Sequence, residues 1–116
     1  MAKTILLVDD DTHILETAQD ILEASGYDVQ SAETGSAALE QLSKAPIHLM
    51  IVDYNLLDMT GIELALKAKA VQPALIIFLM TGETSVDLGA AQPIIHSVLT
   101  KPVNPADLLI LIKQVS

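Results

Sequence analysis

The chain has 116 residues, 51% of them hydrophobic, a formal net charge of −9 and no cysteine; this is enough apolar material for one compact core, and it excludes disulfides, thiolate metal sites and thiol chemistry. All six basic residues are lysines, so a polyanion such as nucleic acid is a poor direct partner and a cation a natural one. No run approaches the roughly 18 apolar residues of a membrane span, and the start, "MAKTILLVDDD", lacks a secretory cleavage pattern, so a cytoplasmic protein without membrane insertion is expected.

The first element, "TILLVD" (4–9), is a near-continuous apolar run of the kind found in parallel strands covered on both faces. It ends in three consecutive carboxylates, Asp9, Asp10 and Asp11. At roughly 4 Å and an effective dielectric of about 20, each like-charge pair costs about 4 kcal/mol, so the acids must point apart or share a cation. Residues 12–24 place Ile14, Leu15, Ala18, Ile21 and Leu22 on one helical face, with Gly26 as a stop. The weaker alternation of "YDVQSA" (27–32) reads as an edge strand. Helices follow at 35–44 and 61–71, each closed by a proline shortly after (Pro46, Pro73). Between them lie the strand "IHLMIVD" (47–53) and a loop in which Asp58 reads as an ordinary loop residue.

"ALIIFLM" (74–80) and "IIHSVLT" (94–100) read as two more strands buried on both faces. The segment joining them contains Gly89 and Pro93, both poor in a helix interior, so a short or irregular helix is expected there. The last helix opens with "NPAD", where Asn104 can cap, Pro105 suits the first position and Asp107 the first turn. Its core stripe is Leu108, Leu111, Ile112 and Val115; Ile110 points away and Leu109 lies on the flank. The order βαβαβαβαβα predicts a doubly wound α/β sandwich that binds ligands beyond the carboxyl ends of its strands.

That rule gathers Asp9 and Asp10 from the first strand, Asp53 from the third, Thr81 after the fourth and Lys101 after the fifth at one edge of the sheet. Two or three carboxylates suit Mg²⁺, which prefers oxygen ligands, and a lysine offsets their crowding. Thr81 would serve as a small hydroxyl donor, with Gly82 beside it leaving room for a group to enter. Asp11 is expected to turn away and begin the first helix. His13, His48 and His96 share no ligand spacing and are read as structural or surface residues, with only His13 near the acids.

In "VDDD" (8–11), "IVDYNLLDMTG" (51–61), "LMTGE" (79–83) and "LTKPV" (99–103), the chain resembles, over essentially its whole length, the receiver domain of two-component response regulators. The resemblance implies a flavodoxin-like (βα)5 fold with strand order 2-1-3-4-5, residues 1–116 forming a single receiver domain. It implies that Asp53 accepts a phosphoryl group from the phosphohistidine of a histidine kinase or phosphotransfer protein. Asp10 would ligate Mg²⁺ directly, with Asp9 holding it through water or stepping in beside it, and the backbone carbonyl of Asn55 would be a further ligand. Thr81 and Lys101 would contact phosphoryl oxygens, and Pro102 would follow a peptide bond often cis in this family. Asn55 and Glu83 occupy the positions where members differ in phosphoaspartate lifetime. Such a domain catalyses only its own phosphorylation and dephosphorylation, and signals through the face formed by the fourth helix, the fifth strand and the last helix.

The sequence departs from the family at Leu57, where a proline is usual, at Thr60, often an acid, and between Thr81 and Lys101, about two residues short of the usual length. Val98 replaces the aromatic that normally swings with the threonine, and valine has no ring to turn. Val98, Leu109 and Ile110 instead suggest an apolar output patch for a partner, an effector domain outside this chain or a second copy. Rival readings are a haloacid-dehalogenase-like phosphohydrolase and a non-phosphorylated pseudo-receiver scaffold. The first needs a general acid two residues past the nucleophile, where this chain has Asn55. A Walker-type nucleotide site is excluded because no glycine-rich loop leads into Lys-Ser or Lys-Thr.

Overall fold

The computed structural model describes residues 3–82 and 86–115. Strand β1 (Thr4–Val8) leads into helix α1 (Thr12–Ala24), β2 (Asp28–Ala32), α2 (Gly35–Lys44), β3 (Leu49–Asp53), α3 (Gly61–Val71) and β4 (Ile76–Thr81). A 3₁₀ helix (Gly89–Ile94), β5 (Ser97–Thr100) and α4 (Pro105–Val115) complete the described chain. All strands are parallel, in the order β2-β1-β3-β4-β5. This is the doubly wound sheet expected. Among the described residues, no helix is long and apolar enough to cross a membrane.

Side chains alternate across a strand, so the apolar runs feed two cores at once. Leu6, Val8, Met50, Val52, Ile77 and Leu79 pack with α2 and α3 through Ala38, Leu42, Leu64 and Ala68. Ile5, Leu7, Ile51, Phe78 and Met80 pack with α1 and α4 through Leu15, Leu22, Leu108 and Ile112. The helix ends follow local chemistry. The Asp11 side chain caps α1 by accepting the amides of His13 (3.0 Å) and Ile14 (3.3 Å), and Asn104 Oδ1 accepts the Ala106 amide (2.8 Å) at α4. Gly26 turns the chain out of α1 at φ +97°, a conformation that favours glycine.

The fifth strand corrects the sequence reading. Rather than a fully buried run over 94–100, it is a four-residue edge strand of alternating burial, with Val98 44% exposed. The reason lies in the connection. Val98 pairs with Leu79 and so shares the sheet face covered by α2 and α3. Six residues of 3₁₀ helix, with Pro93 inside, stand where a crossover helix would cover that face. Leu79→Ala should therefore cost about 2–5 kcal/mol, and Val98→Ala about 0.5 kcal/mol or less, although the two residues are ladder partners. Urea denaturation measures both, and equal losses would contradict the edge assignment.

Candidate functional site

The carboxyl ends of β1, β3, β4 and β5 meet as the topology requires. Asp9 is wholly buried, Asp53 closes β3 at 7% exposure, Thr81 closes β4 at 2%, and Asp10 lies exposed beside them. Lys101 Nζ stands 3.1 Å from Asp9 Oδ2 and 3.1 Å from Asp53 Oδ1. Backbone bonds hold these groups in place: Asp9 donates its amide to the Ala32 carbonyl (3.2 Å) and Lys101 to the Thr81 carbonyl (2.7 Å). The Asp11 amide donates to Asp9 Oδ1 (3.0 Å) while the Asp11 side chain caps α1, so the acidic triplet divides as expected.

One carboxylate oxygen from each of Asp9, Asp10 and Asp53 can be chosen so that all lie within 4.8 Å of one another, the one such group among the described residues. Three carboxylates against one ammonium leave two formal negative charges, which fits a divalent cation. The donor set is all oxygen, as a hard cation such as Mg²⁺ prefers, and exposed Asp10 keeps one side open to the waters that ion retains. Burial pushes the Asp9 carboxyl above its ordinary value and the Asp53 charge adds to this, although the Asp11 amide and Lys101 pull it back. Burial draws Lys101 down, but its bonds to Asp9 and Asp53 prevail and raise it. Lys101 therefore stays an ammonium, and Asp9 is the member whose charge the fold opposes.

The remaining predicted residues divide. Asn55 sits exposed in the loop after β3, bridged to Thr60, and the Lys101–Pro102 bond is cis, as the resemblance implied. Glu83 lies outside the described residues. A Cβ on Gly82 would meet no protein atom within 4 Å, so the fold itself does not require a glycine there. The glycine that matters is Gly61, legible only as the end of a quoted motif: a Cβ there would run into the Asp53 carbonyl and come within 3.0 Å of Tyr54 Cα. Asp58 is more than a loop residue. It accepts the Gly35 amide (2.8 Å), the Ser36 amide (2.9 Å) and the Ser36 hydroxyl (2.8 Å), which lower its carboxyl to about 2. Its partners are 22 and 23 residues away, beyond any local sequence signal.

His13 lines a cavity of about 300 Å³ between α1 and α4 that Asp9 also lines. His48 Nε2 lies 3.1 Å from the Val115 carbonyl and His96 packs against Phe78, both away from the acids. On the expected output face, Val98 and Ile110 are 44% and 57% exposed and Leu109 is half-buried. Val98 lies on the α2/α3 side of the sheet and Ile110 on the helix covering the other side, so they stand to either side of the β5 edge.

Fold and site define a doubly wound α/β protein with a cluster of three carboxylates and a lysine at its strand ends. Residues 5–113 match the family described as the response regulator receiver domain. The chain is 36% identical over 109 residues to the response regulator receiver protein CpdR of Brucella abortus (strain 2308), across 92% of this chain and 91% of that one. It superposes on the CheY-like receiver domain protein of Methanospirillum hungatei JF-1 with a TM-score of 0.92 at 37% identity, covering 98% and 93% of the two chains. The response regulator TrrA of Thermotoga maritima, solved in complex with Mg²⁺–BeF, gives 0.88 at 25% identity over 98% and 99%. The chain belongs to the response regulator receiver domain family. Other curated relatives, named as transcriptional regulatory proteins, are longer, and the chain spans 19–23% of their length.

The direction of the Asp9 shift has a consequence for stability. A carboxyl raised on folding favours its protonated form in the native state, so its contribution to stability falls as pH rises from 3.8 through the raised value. In chelator at pH 7, Asp9→Asn should be at least as stable as wild type in urea denaturation, and should gain less than wild type from added Mg²⁺. A loss above about 1 kcal/mol in chelator, one net hydrogen bond's worth, would contradict this.

Proposed function

We propose that this receiver domain is a phosphoacceptor: a carboxylate oxygen of Asp53 attacks the phosphorus of a phosphohistidine on a kinase or phosphotransfer protein. The P–N bond breaks, the imidazole leaves with its electron pair and takes up a proton, and an acyl phosphate forms on Asp53. The observation that carries this reading is the Lys101 ammonium 3.1 Å from both Asp9 and Asp53 beside the three-carboxylate cluster. Phosphoryl transfer depends mostly on positioning and charge neutralisation, which this arrangement supplies. Mg²⁺, held by Asp10, Asp53 and the Asn55 carbonyl with Asp9 directly or through water, would offset the negative charge that repels the donor. Lys101 then moves its bond from Asp53 to a phosphoryl oxygen, and Thr81 donates its hydroxyl to another. Glu83 and Asn55 set the rate at which water removes the group. With Asn55 where a general acid would stand, the domain acts on itself and does not turn over phosphate esters.

The reading includes a cytoplasmic setting and an output face formed by Val98, Leu109, Ile110 and the peptide at Pro102, which engages an effector domain or a second copy. Val98 has no ring to turn, so the signal passes by displacement of β5. With acetyl phosphate and Mg²⁺, mass spectrometry should find one phosphoryl group, on Asp53; label persisting in Asp53→Ala at wild-type level would sink the assignment. Light scattering tests the output face. Association of the wild type should increase with beryllofluoride and Mg²⁺ and be weakened in Ile110→Lys, whereas a protein monomeric in every condition would remove the second copy as a partner.

A further inference from the structure

The proposed cation ligand Asn55 lies on a loop, residues 54–60, whose own bonds pair its two limbs into a narrow hairpin. Gly61 donates its amide to the Tyr54 carbonyl (2.6 Å), Leu56 to Met59 (3.2 Å), and Asn55 bridges Thr60. The far end is fastened elsewhere. Asp58 takes both the Gly35 and Ser36 amides and the Ser36 hydroxyl, and the Met59 side chain fills the space a Cβ on Gly35 would need. Helix α2 already has a local cap in Thr34, whose hydroxyl accepts the Ala37 amide (3.1 Å). Gly35 and Ser36 are first-turn donors without a partner inside the helix, and a carboxylate suits their dipole. Water could satisfy the exposed Ser36 amide, but Gly35 is buried and water cannot tie the loop down. The same β2–α2 junction also holds Asp9, through the Ala32 carbonyl.

We infer that Asp58 is a positioning residue for the cation site, fixing the loop that carries Asn55 to the junction that also holds Asp9. The inference rests on the phosphoacceptor reading of that site. A ligand placed by an anchored loop costs less ordering when the cation binds than one on a free loop. Outer partners of metal ligands typically change affinity by about 10–100-fold, and the lower end is expected where the link runs through backbone.

Calorimetric titration of Mg²⁺ into the full chain compares wild type, Asp58→Ala and Thr34→Ala. Both variants lose a cap on α2, but only the first releases the loop. Asp58→Ala should raise the Mg²⁺ Kd about tenfold and Thr34→Ala less than about twofold. In chelator, hydrogen exchange at the Leu56 and Gly61 amides should quicken in Asp58→Ala alone. Should Asp58→Ala fail to fold, Asp58→Asn, which keeps one acceptor oxygen, carries the test with an expected rise of about threefold. Wild-type binding with equal Kd in the Asp58 and Thr34 variants overturns the inference and leaves the site reading intact. A wild type that does not bind Mg²⁺ overturns both.

Discussion

The structure depends on one ammonium group shared by two buried carboxylates. Asp9 has no exposure and Asp53 almost none, and an isolated ionised acid in such a place is strongly disfavoured. Lys101 makes the arrangement tenable by reaching both at 3.1 Å from the far side of β4. It does so incompletely, because one positive charge faces three acids. Burial first, and the neighbouring Asp53 charge after it, raise the Asp9 carboxyl. An all-oxygen cluster with two formal negative charges left over is one whose repulsion a divalent cation would relieve.

The fold earns its place by delivering these groups from distant parts of the chain. Lys101 and Asp9 are 92 residues apart, and no local structure could bring them together. Parallel strands place every carboxyl end on the same edge, and two apolar cores hold the strands in register. The close approach of Gly61 to the Asp53 backbone then fixes where the acid sits along β3. Bulk at that one position would push the Asp53 carboxylate out of line, which is why a glycine opening α3 belongs to the site even though it has no side chain to offer.

The fold was legible because its signals are local and repeated: near-continuous apolar runs that feed two cores, an acid at Asp11 and a cap at Asn104 opening helices, and a stop at Gly26. Asp9, Asp10, Asp53, Thr81 and Lys101 were legible because strand ends in a parallel sheet converge by rule. Burial of β5 was misjudged because its apolar residues look the same whether or not a helix covers them. Coverage there depends on the length of a connection interrupted by Gly89 and Pro93. Asp58 was missed for a different reason. Its role is set by partners on another element, and a single acid in a loop gives no sign of where its side chain reaches.

The edge position of β5 bears on how a signal could leave the site without a ring to turn. Lys101 follows the strand directly, so a change in what its ammonium touches acts on the end of β5. Among the described residues, β5 pairs in the sheet with β4 alone, by four register pairs flanked by the His96 amide on Ile77 and the Lys101 amide on Thr81. Its other side is open, and Val98 is uncovered on the face where a crossover helix would otherwise sit. A central strand pinned on both sides would resist displacement, whereas this one has a single ladder to deform. On the phosphoacceptor reading, the short 3₁₀ connection and the valine are two parts of one arrangement: less cover on the edge strand makes the strand itself the moving element. The exposed apolar groups on both sides of it are then what a partner would sense.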